Sequence, residues 1–113
     1  MRILNKTRDT LIAQSAAVAD TPLKRTKGLM ARKNFAPGEA LIITSCNSIH
    51  TFFMRFPIDV LFVDTDNKIV AQGIDIKPWQ VSPIYWRAKF VVELPCGTIS
   101  SSGTREGDEI ALT

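Results

Sequence analysis

Apolar and polar positions along this chain fall into short runs separated by turn residues, and most runs alternate with a period of two. Arg2–Asn5 and Leu11–Val18 read as two strands around a polar turn, Thr7-Arg8-Asp9-Thr10. Asp20-Thr21-Pro22 opens a helix: Thr21 suits the cap and Pro22 the first helical position. Leu23, Thr26 and Met30 share one face of it, Leu29 sits beside them, and the basic residues mostly take the outer face. The spacing predicts a helix over about 22 to 30, with Gly28 as its end or as a close-packing point against the sheet.

Ala36-Pro37-Gly38-Glu39 is a turn, and Ala40–Thr44 a short buried strand. The densest apolar stretch runs from Ile49 through Phe56 and Pro57 to Asp64. From Ile58 onward both alternating faces are apolar, as in a strand covered on two sides. Thr65-Asp66-Asn67-Lys68 makes a hairpin turn into a return strand, Ile69–Ile76. Lys77–Trp86, with two prolines and two tryptophans, is a long surface loop. Phe90–Leu94 is a strand with Phe90, Val92 and Leu94 inward, Ser100–Gly103 a loop, and Glu109–Leu112 a last strand. The prediction is a single α+β domain over 1–113. Its sheet is curved and mainly antiparallel, or closed into a small barrel, with one principal helix.

Length and composition narrow this. At 113 residues there is room for one core, so a two-domain dinucleotide-binding enzyme is excluded. Hydrophobic residues at 45% exclude a disordered chain. No apolar run approaches the roughly 18 residues of a membrane span. Two cysteines do not make a disulfide framework, and the N-terminus lacks a signal peptide's apolar stretch. A cytoplasmic chain with reduced thiols is expected; a leader removed from the start, giving a periplasmic or secreted protein, is the alternative.

The net charge of +3 hides an asymmetry: residues 1–33 carry eight Lys/Arg against two Asp/Glu. The excess peaks at Lys24, Arg25, Lys27, Arg32 and Lys33. Such a patch can meet phosphate, so nucleic-acid binding through the basic 24–33 helix is a second alternative function; a solvated helix face is the plainer reading, and nucleic acid is not the expected partner. The aromatics lie mostly in apolar strands rather than interleaved with charge.

Two stretches, Lys24–Arg32 (KRTKGLMAR) and His50–Asp64 (HTFFMRFPIDVLFVD), resemble the domain of unknown function 192, also called uncharacterised protein family 0127. The likeness continues through Lys77-Pro78-Trp79, Glu93-Leu94-Pro95-Cys96-Gly97 and Gly107-Asp108, nearly the whole chain. It implies a bacterial and archaeal single-domain protein, mostly β with one helix, and no established activity. Many members of that family carry a leader or lipid-attachment segment.

Candidate chemistry centres on His50, the chain's one histidine, four residues after Cys46. A binding surface built around His50 would use Met54, Arg55 and Asp59 nearby in sequence, with Trp79 closing the rim. Asp59, if buried, needs a partner, and Arg55, Arg25 and Arg32 are the candidates. The leading expectation is a ligand- or partner-binding domain, its partner a small molecule or a protein. The alternative is a thiol-dependent hydrolase or transferase, with Cys46 as nucleophile, His50 as base, and Asp59 or Asn47 orienting the ring. Cys46, His50 and Cys96 lack zinc-site spacing, Asp64–Ile69 fails as a calcium loop, and no phosphate-binding glycine loop occurs. No metal and no cofactor is expected.

Overall fold

The computed structural model describes residues 1–30 and 32–113; Ala31, inside the KRTKGLMAR run, lies outside them. The fold is α+β, with ten elements: β1 (Ile3–Asn5), β2 (Thr10–Ala13), β3 (Ser15–Ala19), α1 (Pro22–Lys27), β4 (Glu39–Thr44), β5 (Ile58–Val63), β6 (Ile69–Ile76), β7 (Phe90–Pro95), α2 (Thr98–Ser102) and β8 (Ile110–Leu112). They form a three-stranded sheet, β2-β1-β8, and a five-stranded sheet, β3-β4-β7-β5-β6. All pairings are antiparallel except β3 on β4.

The larger sheet is covered on both faces. One face packs on the smaller sheet and α2 through Ile42, Leu61, Val63, Val92 and Leu94 against Ile3, Ile12, Ile99 and Ile110. The other face carries Ile43, Val60, Phe62 and Val91 under Leu29, Ile49 and Met54, which come from the end of α1 and the connection after β4. Strict alternation along β5 and β7 decides which side chain joins which layer. The β5–β6 hairpin follows its prediction: all six residues of β5 are buried, and Asn67 takes the left-handed conformation (φ 59°) in the turn.

Four expectations are corrected. The predicted strand 11–18 is two strands in two sheets, because Gln14 and Ser15 both donate backbone N–H bonds to the Gly38 carbonyl and the chain changes partner there. The sheet does not close into a barrel; it is open, with β3 and β6 at its edges. The helix begins as predicted, with Thr21 Oγ1 accepting from the Lys24 N–H at 3.2 Å, but it stops at Gly28. Under two turns long, it cannot present an inner face spaced i, i+3, i+7: Leu23 is 79% exposed, and Leu29, just past the end, is fully buried instead. The segment read as a loop at Ser100–Gly103 contains most of α2.

Candidate functional site

A cavity of about 360 Å³ lies between α1 and the sheet face that carries β4 and β7. Three stretches build it. The end of α1 and the turn after it supply Arg25, Gly28 and Met30; the connection after β4 supplies Cys46, His50 and Met54; the sheet supplies Ile43 and Glu93. Glu93 is the unusual member. It sits on β7, the middle strand, with Leu41 and Val60 directly opposite it on the two neighbours. It is 2% exposed, and among the described residues its Oε1 has no hydrogen-bond partner. Burial alone pushes its carboxyl up to about 8, so near neutral pH it is mostly protonated.

Gly28 stands beside this carboxyl, and its backbone conformation rather than the space around it calls for glycine. Its φ of 47° and ψ of −125° lie where L side chains are strained. A Cβ there would stand 3.8 Å from Glu93 Oε1 and 3.9 Å from the Arg25 carbonyl oxygen. The left-handed turn therefore both ends the helix and swings Leu29 into the core beside the cavity.

His50 and Cys46 share a wall of the cavity, and each is hydrogen-bonded to the backbone rather than to the other. The Cys46 thiol donates to the Ser48 carbonyl at 3.0 Å, and burial is the main cause that raises its pKa. His50 Nδ1 accepts the Phe52 N–H at 3.1 Å, and its ring stacks on Phe52 at 5.0 Å. Nδ1 is thus an acceptor, which leaves the proton of the neutral ring on Nε2. The chain around His50 is held by Thr51, which is fully buried. Its N–H donates to the Gln80 carbonyl and its Oγ1 to the Lys77 carbonyl. We expect iodoacetamide at pH 7.5 to modify the exposed Cys96 well before Cys46, read by mass spectrometry of time points. Faster alkylation of Cys46, persisting below pH 7, would mark it as an activated nucleophile and contradict this description.

The other residues expected around His50 lie elsewhere. Alternation along β5 turns Asp59 to the opposite sheet face, away from α1. None of the three arginines pairs with it; the N–H groups of Asp75, Gly97 and Ile99 do, at 3.0, 3.1 and 3.0 Å. Arg55 is exposed. Trp79, 60% exposed, packs on Phe52 and Phe53 outside the cavity. The basic stretch is divided: Lys24, Lys27 and Lys33 are exposed, Arg25 is half-buried on the cavity wall, and Arg32 pairs with Glu39 at 3.4 Å above the Phe35 ring. No cluster of three or more His, Cys, Asp or Glu side chains able to hold a metal occurs among the described residues. None of the described helices is long and apolar enough to cross a membrane.

Sequence reasoning missed Glu93. With Phe90, Val92 and Leu94 taken as the inner face, Glu93 fell on the face assumed to meet solvent. The signal against that was Val91, an apolar residue on the same face as Glu93.

Residues 3–112 match the family of the domain of unknown function 192, described as Uncharacterized ACR, COG1430. The chain belongs to this family. A UPF0127 protein from Thermococcus sibiricus is 35% identical over 96% of this chain and 72% of its own length. The curated relatives are archaeal, so an exclusively bacterial distribution does not hold. Two solved structures share the fold. A protein of unknown function from Novosphingobium aromaticivorans has a TM-score of 0.86 at 19% identity, covering 99% of this chain and 84% of that one. A Sinorhizobium meliloti protein, named as a candidate transcription regulator, has a TM-score of 0.78 at 24% identity, covering 97% and 89%. No specific activity attaches to the family or to the first of these neighbours.

Proposed function

We propose that this chain is a small-ligand binding domain whose ligand enters the cavity between α1 and the sheet and donates its central hydrogen bond to Glu93. One observation carries the reading: a fully buried carboxyl oxygen without a partner, on a residue that lines a cavity. The large majority of buried side-chain polar atoms in folded proteins are paired, and leaving one unpaired costs about 1–3 kcal/mol. An apolar residue at this position, between Leu41 and Val60, would avoid that cost. A carboxyl kept there is accounted for by a ligand that completes it. The walls fit that role, since Met30, Ile43, Ile49 and Met54 are apolar and a few polar groups converge among them. Binding without covalent chemistry is favoured over the thiol-enzyme alternative because Cys46 is a protonated donor and His50 points its acceptor nitrogen at a backbone amide.

The methionines give a direct test. Met30 and Met54 line the cavity, and Met1 does not. In protein labelled with carbon-13 at the methionine methyls, a mixture of small aliphatic amines, acids, amino acids and alcohols should shift the Met30 and Met54 signals and leave Met1 in place. Binding that moves neither Met30 nor Met54, or no binding at all, would sink the proposal.

A further inference from the structure

The cavity carries two groups of opposite kind that do not meet. Glu93 approaches from the sheet and Arg25 from α1, yet no hydrogen bond or ion pair joins them among the described residues. Both line the same space, each with its own demand: Glu93 Oε1 has no donor, and the half-buried Arg25 guanidinium, a five-donor fork, has no side-chain carboxylate paired with it among the described residues. The walls between them are apolar or soft, from Met30, Ile43 and Met54. At about 360 Å³ the space is at the small end of ligand sites, which run from roughly 300 to 1,000 Å³.

Resting on the binding reading above, we infer that the ligand is a small zwitterion with an apolar body, of the class of the aliphatic α-amino acids: its ammonium donates to Glu93 and its carboxylate accepts from Arg25. A ligand with one polar end leaves the other demand unmet. A plain amine would place a cation beside Arg25 and Lys27 with nothing to offset them. A plain carboxylate would satisfy Arg25 and leave Glu93 without the charged donor that lets it ionise in a buried place. The zwitterion meets both, and its side chain covers the methionine wall.

Ionisation of Glu93 on binding predicts a proton signature. The titratable and charged groups facing Glu93 across the cavity are Arg25 and Lys27 from α1, and Cys46 and His50 from the connection after β4. An ammonium that recruits the ionised carboxylate releases one proton to the buffer. Affinity then rises with pH between 6 and 8, by up to about tenfold per unit.

Isothermal titration calorimetry with L-leucine, L-methionine, isoamylamine and 4-methylpentanoate tests this. The two last are leucine without its carboxylate and without its amine. The inference expects at least one amino acid to bind ten or more times tighter than either truncated compound. It also expects proton release, seen as a heat that depends on the buffer, which is lost in Glu93→Gln. Arg25→Gln should weaken the amino acid and, by removing a like charge beside the ammonium, leave the amine no weaker than before. Thermal melts check that both variants fold. A truncated compound that binds as well as leucine, or neither amino acid binding, overturns the zwitterion. If other compounds still shift the Met30 and Met54 methyls in that case, the pocket stands and the ligand class falls; if none does, both fall.

Discussion

Replacing Glu93 by Gln should remove a pH dependence of stability that the wild-type chain carries. Burial raises the folded-state pKa of Glu93 to about 8 from an ordinary value of 4.5. Between those values the native chain keeps a proton that the unfolded chain has lost. Stability is therefore fullest below about pH 4.5, falls as pH rises across the window, and levels off above about 8. The whole fall amounts to about 3–5 kcal/mol. Glutamine keeps the volume and stays neutral, so its profile over this window should be flat on this account, and the variant should be the more stable protein at pH 8. Urea unfolding at pH 5, 6, 7 and 8 measures it. Parallel profiles for the two proteins would mean that Glu93 is solvated or paired after all.

The second large effect belongs to Asp59, and it is structural. Its carboxylate is completely buried on the face away from the cavity and accepts three backbone N–H groups, from Asp75, Gly97 and Ile99. Two of these hold the start of α2, which has no side-chain cap of its own. Asp59→Ala leaves three N–H donors without their acceptor, that of Ile99 buried and those of Asp75 and Gly97 half-buried, and should cost about 2–4 kcal/mol. Chemical denaturation gives the number, and hydrogen exchange should show α2 opening first. Ligand shifts of the Met30 and Met54 methyls should survive in whatever fraction stays folded. A loss below 1 kcal/mol would show that water or another group replaces the carboxylate with ease.

These two carboxylates show how much was legible beforehand. Asp59 was marked as a buried acid needing a partner, and that need is real. The partner was misjudged because arginines were sought, while the solution came from amides around Gly97, brought there by the β5–β7 pairing. The hairpin of β5 and β6 was readable because its signals are local: an unbroken apolar strand, then a turn with Asn67. The start of α1 was readable for the same reason, through Thr21 and Pro22. What failed depends on distant partners. The break at Gln14 carries no Gly or Pro and exists because β3 pairs in parallel with β4. The five residues of α2 have no helical periodicity, and their N-terminal amides are held from β5.

For the site, His50, Met54 and Cys46 were legible by their closeness in sequence, and all three line the cavity. Arg55 and Trp79 were not separable from them, because a turn at Phe53 (φ 63°) and another at Trp79 (φ 66°) send both outward. Arg25 was grouped with the surface lysines since charge alone does not reveal which basic residue a short helix turns inward. Glu93 was hidden because only Phe90, Val92 and Leu94 were taken as inward on its strand. In a five-stranded sheet covered on both sides, its middle strand has no wet face.

The central claim is that Glu93 holds an uncompensated carboxyl at the floor of a cavity. Its side-chain carboxyl carbon, followed by NMR in glutamate-labelled protein from pH 3 to 10 and assigned by the loss of its signal in Glu93→Gln, tests that without any ligand in hand. The account predicts a midpoint near 8 in the free protein. A midpoint near the ordinary value of 4.5 would mean the carboxyl already has its partner, and the case for a ligand at Glu93 would be gone.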